Sequence, residues 1–316
     1  MRVLITGIAG FAGSHLAELL LKDGEEVFGT VLPEESTRNT EPFGSQLKLF
    51  PCDLRDADAA DRLVEQVRPE AIYHLAALTF IPDSISDPRL TFDTNLYGTL
   101  NLFEAAKKLA PRARVLFVGS ADEYGLVKED ELPITERNPL RPTNPYSVSK
   151  VSASMLAYQY GLSGRMHIVR VRPFNHTGPR QSSQFVCSDF TRQIVEAERG
   201  QRAPEIQVGN LRPKRDFTDV RDVVRAYRDI LRHGKPCEVY NICSGRSVAI
   251  SEILDMLLSI SGQQFRIVEC PERARQTDIE EIRGDFSKIE KAAAWRPTIP
   301  LMETLRDMIE YWRGIS

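Results

Sequence analysis

The sequence carries little net charge and has no long apolar run. Its 316 residues give a formal net charge of −3, so no global nucleic-acid-binding surface is expected. No apolar stretch approaches the roughly 20 residues that a membrane helix needs, and we expect no membrane contact. The chain opens on strand-like residues, so no signal peptide is predicted.

Cysteine is also scarce. The five cysteines are Cys52, Cys187, Cys237, Cys243 and Cys270. Their number is odd and no pair has C-x-x-C spacing, so neither a metal site nor a disulfide framework is predicted. Buried thiols in a reducing compartment explain them more simply, and we predict a cytoplasmic protein without a metal.

Glycines dominate the N-terminus. An apolar run at residues 3–5 is followed by Gly7, Gly10 and Gly13 and then by a helical pattern. Glycines at this spacing permit a tight strand-to-helix turn, close approach of the backbone to a pyrophosphate, and packing of the helix on the strand. The N-terminus of the helix offers unpaired N–H groups to that pyrophosphate. The motif therefore predicts a bound dinucleotide.

Strand and helix patterns alternate through the first half of the chain. Continuous apolar strands bounded by helices are typical of a parallel sheet covered on both faces, so we predict an α/β, doubly wound Rossmann fold. The predicted strands are residues 2–6, 26–30, 47–51, 71–75, 114–118 and 167–172, and the clearest helices are residues 11–22, 57–67, 90–109 and 146–160.

The pattern changes after Arg172. Loops, two further amphipathic helices and a strand at residues 238–242 predict a smaller lobe that closes over a substrate. Residues 219–233 and 238–241 are predicted to return to the first lobe. The predicted division is a dinucleotide-binding domain of residues 1–172 with about 219–241, and a smaller C-terminal α/β lobe of residues 173–218 and 242–316.

Tyr146 and Lys150 stand four residues apart in a helical pattern, which places both side chains on one face. An ammonium beside a phenol lowers the pKa of the phenol, so the tyrosine can exchange a proton near neutral pH. Ser120 follows the fifth predicted strand, at the edge of the sheet where ligands bind, and can donate to a substrate carbonyl. A solvated lysine and a capping serine are the simpler alternatives.

In this order, the motifs resemble the extended short-chain dehydrogenase/reductases that modify nucleotide sugars. The likeness continues through residues 53–54, 74–77, 95–99, 172–179, 215–222 and 295–297, and so covers almost the whole chain. It implies a nicotinamide cofactor, catalysis by Ser120, Tyr146 and Lys150, and support of the catalytic helix by Asn95. Asp53 would contact adenine. The cofactor contacts that it implies are Gly7, Gly10, Phe11, Ala12, Gly13, Asp53, Leu54, Leu75, Ala76, Ala77, Asn95, Tyr146 and Lys150.

Several segments are most similar to the GDP-mannose branch of these enzymes, namely residues 28–30, 174–179, 185–186, 189–190, 208–211 and 275–279. The diphosphate of a GDP-sugar carries two negative charges, and Arg215, in a predicted loop before residue 219, can clamp them bidentately. A surface position is the alternative for Arg215 and Arg275. The substrate contacts that the resemblance implies are Ser84, Asn175, Val208, Arg215, Arg275 and Asp278.

The residue after Ala121 bears on the reaction. A 4,6-dehydratase eliminates water across C5 and C6 and needs a carboxylate as base and acid. The mannose dehydratases resemble Thr-Ser-Glu-x-Tyr-Gly here, whereas this chain has Ser-Ala-Asp-Glu-Tyr-Gly, so Asp122 is one methylene shorter. Because a misplacement of roughly 1 Å costs about a hundredfold in rate, we predict a 4-ketoreductase that gives a GDP-6-deoxy-hexose such as GDP-D-rhamnose. The dehydratase is the alternative.

The cofactor choice turns on the end of the second predicted strand. Thr30-Val31-Leu32-Pro33 offers neither an acid for a ribose 2′-hydroxyl nor an arginine for a 2′-phosphate. The related branch usually carries arginine where Leu32 stands, and Glu34 and Arg38 act in opposite directions. The family favours NADP(H), with NAD(H) as the alternative.

The resemblance also implies a homodimer, paired through the helices at residues 90–109 and 146–160, with a tetramer as the alternative. A nucleotide-sugar 4-epimerase is the third functional hypothesis. A redox-sensing or scaffold protein that keeps the fold without chemistry is a rival from another class. Such a protein need not retain Ser120, Tyr146 and Lys150 together.

Overall fold

The central feature of the fold is a parallel sheet. The computed structural model describes residues 1–162, 164, 166–270 and 279–315. Its strands are β1 (Arg2–Thr6), β2 (Glu26–Val31), β3 (Leu47–Pro51), β4 (Ala71–His74), β5 (Arg114–Val118), β6 (His167–Pro173), β7 (Asn175–Thr177), β8 (Glu205–Val208), β9 (Lys214–Asp219), β10 (Val239–Ile242), β11 (Ser247–Ala249) and β12 (Arg266–Glu269).

Seven strands form this sheet in the order β10-β6-β5-β4-β1-β2-β3. The chain runs from β1 outward to β3 and then returns to the other side of β1 with β4, which pairs with β1 in parallel. Ligands of open α/β sheets bind at such a reversal of strand order, beyond the carboxyl ends of the strands. The fold therefore places a binding crevice above β1, β4 and β5.

The α-helices are α1 (Phe11–Lys22), α2 (Ala57–Val67), α3 (Ile81–Ser86), α4 (Pro88–Phe92), α5 (Gly98–Leu109), α6 (Pro145–Leu162), α7 (Val186–Glu198), α8 (Val220–His233), α9 (Ile250–Ser261), α10 (Ser287–Ala293) and α11 (Leu301–Gly314). The helix predicted at residues 90–109 is α4, a π-helical turn (Asp93–Tyr97) and α5 in succession. The prediction of two further helices after Arg172 is too low, because α7, α9, α10 and α11 all lie there in addition to α8.

Buried residues cover both faces of the sheet, and this confirms the predicted doubly wound fold. Leu16, Tyr227 and Ile230, from α1 and α8, pack on one face. Leu63, Leu102 and Ala153, from α2, α5 and α6, pack on the other. Strands buried on both faces read as continuous apolar runs, which is why the sequence located them well.

A smaller assembly follows the main sheet. Strands β11, β9 and β7 form one sheet, and β12 pairs with β8 in another. Helices α7, α9 and α11 enclose a separate apolar cluster that includes Phe190, Leu254 and Met308. This separate core supports the proposed division into two lobes, as does the place of β10 in the main sheet.

One segment departs from the predicted division. Residues 242–316 were all assigned to the smaller lobe, but Ile289 of α10 and the following Trp295 are buried in the cluster under the main sheet. Trp295 Nε1 donates to the backbone carbonyl of Asp222, in α8, at 2.9 Å. We therefore propose that this segment belongs with the dinucleotide-binding lobe.

Neither a membrane-spanning helix nor a metal-binding cluster is found in the part of the chain that the structure describes. No helix in it has the length and apolar character to cross a membrane. No group of three or more His, Cys, Asp or Glu side chains within it is arranged to hold a metal ion. Cys52, Cys187 and Cys243 are buried free thiols.

Candidate active site

The glycine-rich turn between β1 and α1 has the close packing that its spacing predicts. Gly7 adopts a φ of +71°, and a Cβ there would lie 3.0 Å from Ala76 Cα. A Cβ on Gly13 would lie 2.2 Å from the Gly7 carbonyl oxygen, so no larger residue fits. Gly10 is the N-cap of α1 and makes no side-chain cap, which leaves the N-terminus of the helix to be satisfied by a ligand or solvent.

A cavity of about 1670 Å³ lies over the carboxyl ends of the strands and extends into the smaller lobe. Most of the predicted site residues line it. These are Gly7, Gly10, Phe11, Ala12, Gly13, Asp53, Leu54, Leu75, Ala76, Ala77, Ser120, Asp122, Tyr146, Lys150, Asn175 and Arg215. The cavity is large enough for two extended ligands, because a single drug-sized ligand occupies only about 300–1,000 Å³.

The three predicted catalytic side chains converge on this cavity. Tyr146 forms a side-chain hydrogen bond with Ser120. Lys150, one helical turn further along α6, donates from Nζ to the Val118 carbonyl at 2.6 Å, and its ammonium lies 5.2 Å from the centre of the Phe117 ring. Both Tyr146 and Lys150 are buried, with 6% and 5% of their surface exposed.

The Ser120 hydroxyl caps a turn and is also free to face a ligand, the two roles considered for it from the sequence. It caps the short 3₁₀ helix Ala121–Glu123 by accepting the Asp122 N–H at 3.1 Å. The same oxygen takes part in the hydrogen bond with Tyr146. A serine hydroxyl has one donor and two acceptor lone pairs, so the cap leaves it able to act on a ligand.

The pKa of Tyr146 departs from the prediction. Burial raises the pKa of its phenol, the Asp122 carboxylate raises it further, and the hydrogen bond with Ser120 opposes both. Lys150 was predicted to lower this pKa, but its ammonium is directed to the Val118 carbonyl, and burial lowers the pKa of Lys150 itself to about 8. The phenol is therefore held protonated, which suits a proton donor.

Asn95 supports the catalytic helix without lining the cavity. It lies in the π-helical turn, and its amide donates to Ser149 Oγ in α6 at 2.9 Å and to the Leu78 carbonyl at 3.0 Å. Its carbonyl oxygen accepts the Leu78 N–H at 2.8 Å. Asn95 thus joins α6 to the loop after β4, so any effect that it has on the cofactor is indirect.

His74 holds the loop after β4, and the sequence did not assign it this role. Its Nδ1 and Nε2 lie 2.7 Å from Thr6 Oγ1 and 2.8 Å from Thr99 Oγ1. Thr6 Oγ1 also accepts the N–H of Ala76, a cavity residue, at 3.2 Å. Burial lowers the pKa of His74 to about 3, with a smaller contribution from Lys150, so the imidazole is neutral.

Asp53, the predicted adenine contact, lines the cavity, and its carboxylate is paired within the protein. Arg55 binds it in a bidentate manner, with Nη2 at 2.6 Å from Oδ2, and both residues line the cavity. The hydrogen bond from Arg55 lowers the pKa of Asp53.

On the substrate side, Arg215 lies on β9 and not in a loop, which corrects the prediction. Its Nη1 donates to the carbonyls of Lys214 and Ile279, at 2.9 and 2.7 Å. Pairing of β9 with β7 brings Asn175 to the same cavity. These contacts fix the guanidinium of Arg215 at the wall of the smaller lobe.

Two predicted substrate contacts are not brought to the cavity. Ser84 is buried in α3, where its hydroxyl donates to the Ile81 carbonyl at 2.7 Å. The Val208 side chain packs in the core of the smaller lobe, although the neighbouring Gly209 and Asn210 line the cavity. Arg275 and Asp278 lie outside the described residues.

The cavity also contains residues that the sequence did not assign to the site. Phe80 and Phe185 reach it from the two lobes, and their rings meet edge to face at 6.1 Å. Arg192, on α7, lines it too and donates to Asp189 at 2.7 Å. Such contacts depend on how the lobes pack, which a linear pattern does not encode.

The whole chain is similar to known proteins. Residues 4–308 match the family described as GDP-mannose 4,6 dehydratase. The chain is similar to GDP-6-deoxy-D-mannose reductase of Pseudomonas aeruginosa, at 35% identity over 313 residues that cover 99% of this chain and 97% of that protein.

Two solved structures extend the comparison. RMD from Pseudomonas aeruginosa complexed with NADPH superposes with a TM-score of 0.86 at 34% identity, over 99% of both chains. UDP-glucose 4-epimerase of Thermus thermophilus in complex with NAD superposes with a TM-score of 0.89 at 29% identity, over 100% of both chains.

Proposed function

Because this chain belongs to the GDP-mannose 4,6 dehydratase family, we propose that it reduces the 4-keto group of GDP-4-keto-6-deoxy-D-mannose and gives a GDP-6-deoxy-hexose such as GDP-D-rhamnose. It is an NAD(P)-dependent nucleotide-sugar oxidoreductase. The observation that carries the proposal is the convergence of Ser120, Tyr146 and Lys150 on one cavity, in a chain 35% identical to a GDP-6-deoxy-D-mannose reductase.

A nicotinamide dinucleotide fits the residues present. At Gly7 and Gly13 a Cβ would collide with backbone, so only glycine allows this tight turn. The turn lines the cavity at the N-terminus of α1, where a pyrophosphate would bind. Ala76 and Ala77 continue the same wall with small side chains. When bound in its reduced form, the nicotinamide supplies the hydride.

The protein supplies the proton and the orientation. Tyr146, held protonated by burial and by Asp122, gives its Oη proton to the carbonyl oxygen of the sugar. Ser120 Oγ donates a hydrogen bond to that oxygen as negative charge develops on it. The Lys150 ammonium, fixed on the Val118 carbonyl at the wall of the same cavity, would hold the ribose hydroxyls of the nicotinamide.

Recognition of the substrate is proposed for the smaller lobe. Arg215 lines the cavity and brings a guanidinium suited to a diphosphate, and Asn175 lies on the neighbouring strand. The pairing of β7 with β9 brings Asn175 and Arg215 together, and both line the cavity that Tyr146 also lines, so the sugar would lie between the two lobes. Roles for Arg275 and Asp278 in binding the nucleoside stay predictions.

A 4,6-dehydratase is the second candidate, favoured by the family description and by the place of Asp122 in the cavity. The dehydratase reaction begins with oxidation at C4. In that step Tyr146 must be a phenolate, so that it can accept the proton of the C4 hydroxyl. Burial and Asp122 both raise the pKa of Tyr146 and so oppose that step. The shorter Asp122 side chain weakens the elimination further.

The test is to offer the purified protein GDP-mannose alone, and then GDP-4-keto-6-deoxy-D-mannose with NADPH or NADH. We expect the keto-sugar to be consumed with one equivalent of reduced cofactor, and GDP-mannose to be left unchanged. Efficient dehydration of GDP-mannose, with the keto-sugar leaving the reduced cofactor untouched, would support the dehydratase. If a UDP-sugar is offered in a parallel assay, its interconversion with no net oxidation would support an epimerase.

The choice between NADPH and NADH depends on the end of β2. Leu32, Glu34 and Glu35 line the cavity there, and Glu35 accepts the Leu32 N–H at 3.0 Å. Carboxylates repel a 2′-phosphate, whereas the similar reductase structure holds NADPH. We infer that NADPH is accepted and that Glu34 limits the preference for it over NADH.

Replacing Glu34 by glutamine should therefore raise kcat/KM for NADPH by about 3- to 10-fold, because one like charge near the 2′-phosphate is removed. The value for NADH should change by less than about twofold, since NADH has no such phosphate. Steady-state kinetics with both cofactors measures this, and Glu41→Gln, an exposed acid elsewhere, is the matched control. An equal change for both cofactors would contradict the role of Glu34.

A homodimer is proposed from one face of α6. Val148, Met155 and Leu162 recur every seven residues, so they lie on the same face, and Met155 and Leu162 are 43% and 60% exposed. Tyr97, in the turn before α5, is also exposed. An apolar stripe of this kind is typical of a helix that packs against a partner.

Substituting Met155 by lysine is expected to convert the dimer into monomers, because a charge would be buried in an apolar interface. Analytical ultracentrifugation over a range of concentrations measures the change. Leu126→Lys is the control, since Leu126 is an exposed apolar residue outside α6. A sedimentation profile identical to that of the wild type would exclude this face as the interface.

A further inference from the structure

Glu123 is a fully buried carboxylate beneath the catalytic residues that the mechanism above does not use. It is the last residue of the 3₁₀ helix that Ser120 caps. Its side chain turns back under the strand end, and Oε1 accepts the Ser120 N–H at 3.0 Å. Ser120 and Glu123 therefore hold the two ends of the turn reciprocally, as in a capping box.

The space for this carboxylate is provided by Gly119. A Cβ on Gly119 would lie 2.1 Å from Glu123 Oε1, so the carboxylate packs directly on the backbone of the residue before Ser120. The Glu123 carboxylate thus packs against the turn that carries the Ser120 hydroxyl.

The second oxygen of Glu123 reaches the next strand. Oε2 accepts Arg172 Nε, from β6, at 2.7 Å, and both side chains are almost fully buried, at 0% and 4% exposed. Arg172 also donates to the Tyr124 hydroxyl at 3.2 Å, and that hydroxyl donates to Asn241 Oδ1 at 2.6 Å. Strands β5, β6 and β10 are tied together below the site by this network.

Glu123 and Arg172 affect each other's ionisation. Burial raises the pKa of Glu123, and the Arg172 guanidinium counteracts it. Burial also opposes the charge on Arg172, but the Glu123 carboxylate raises the pKa of Arg172 overall. We take both members of the pair as ionised. Arginine keeps its positive charge even when buried, and that charge stabilises the carboxylate of Glu123.

The charged and titratable groups around Lys150 come from three directions. His74, on β4, is neutral, and Tyr146, on α6 itself, is protonated. From the turn after β5 comes Glu123, whose charge counteracts the effect of burial on the Lys150 pKa. Arg172 lies on the far side of Glu123.

We propose that Glu123 is a positioning residue for the reduction described above: it fixes the turn that presents the Ser120 hydroxyl to the cavity. The proposal rests on the proposed function for its effect on turnover. Its effect on Lys150 can be measured without a sugar substrate.

The experiment compares Glu123→Gln and Glu123→Asp with the wild type. Lys150 is titrated by NMR with ¹³Cε-labelled lysine, and its signal is identified by its loss in Lys150→Arg. For Glu123→Gln we expect the Lys150 pKa to fall from about 8 by about one further unit, because a negative charge that raises it is removed. The basic limb of the kcat/KM profile should move to lower pH by the same amount.

Glu123→Asp separates the two effects. It keeps the charge but is one methylene shorter, so the Lys150 titration should stay near that of the wild type. The hydrogen bond to the Ser120 N–H should be lost, and kcat should fall about 10-fold or more, with KM for the cofactor changed by less than about twofold.

If Glu123→Gln does not fold, Glu123→Leu combined with Arg172→Met removes the buried pair without leaving an unpaired charge. The Lys150 pKa and kcat should fall in this variant too. An unchanged Lys150 titration together with unchanged kcat, in any folded variant that lacks the carboxylate, would overturn the proposal. A wild-type protein that does not reduce the keto-sugar would defeat the proposed function and leave the titration as an independent test.

Discussion

Replacing Tyr146 by phenylalanine is expected to lower kcat by about 10²- to 10⁴-fold, the range that general acid catalysis contributes. In the proposed mechanism Tyr146 gives a proton to the carbonyl oxygen, and phenylalanine removes that proton while keeping the ring. Ser120 Oγ can still donate a hydrogen bond, which accounts for the residual activity. Turnover is followed by the loss of NADPH absorbance with the keto-sugar.

The cofactor should still bind to this variant. Gly7, Gly10 and Gly13 line the end of the cavity that we propose for the pyrophosphate and are unaffected, so the Kd for NADPH, measured by fluorescence, should change by less than about threefold. Tyr158→Phe is the matched control, because Tyr158 lies on the same helix but is exposed. A folded Tyr146→Phe protein with more than a tenth of wild-type kcat would show that another group donates the proton.

The second large effect is expected for Ser120→Ala, with kcat lowered by about 10²- to 10³-fold. The alanine variant cannot donate to the developing alkoxide or to Tyr146. It also loses the cap on the turn, which costs about 1 kcal/mol of stability. The two losses are separated by measuring kcat at a temperature well below the melting transition and the melting temperature by calorimetry.

Ser120→Thr provides the matched control for this prediction. Threonine keeps the hydroxyl and can cap the turn, so it should restore most of the stability and at least a tenth of the activity. Equal and small effects of alanine and threonine on kcat would assign Ser120 to the turn alone.

The part of the fold that the sequence predicts is the part determined locally. Buried parallel strands appear as continuous apolar runs, and glycine spacing identifies the turn between β1 and α1, so residues 2–6 and 11–22 were predicted with the observed bounds. Tyr146 and Lys150 share a helical face for the same local reason.

The features that were missed depend on contacts between distant residues. Arg215 lies on a strand because β9 pairs with β7 and β11, and no local pattern encodes that pairing. Trp295 packs under the main sheet by bonding to Asp222, 73 residues away. The pKa of Tyr146 rises because the whole cavity wall buries it, and burial of a single side chain is not visible in a spacing of four residues.

Glu123 illustrates the same limit. Its place in Ser-Ala-Asp-Glu-Tyr-Gly gives no sign that it is buried, because an acid in such a motif is ordinarily solvated. Its partner Arg172 lies 49 residues further along the chain, and only the pairing of β5 with β6 brings the two together.

The destination of the hydride tests the central claim most directly. NADPH carrying deuterium at the transferable position of C4 of the nicotinamide is incubated with the protein and GDP-4-keto-6-deoxy-D-mannose, and the sugar is analysed by mass spectrometry and NMR. We predict one deuterium in each product molecule, bound to C4 of the hexose, at the carbon whose oxygen faces Tyr146 and Ser120. A product without deuterium, or with deuterium at another carbon, would contradict the account.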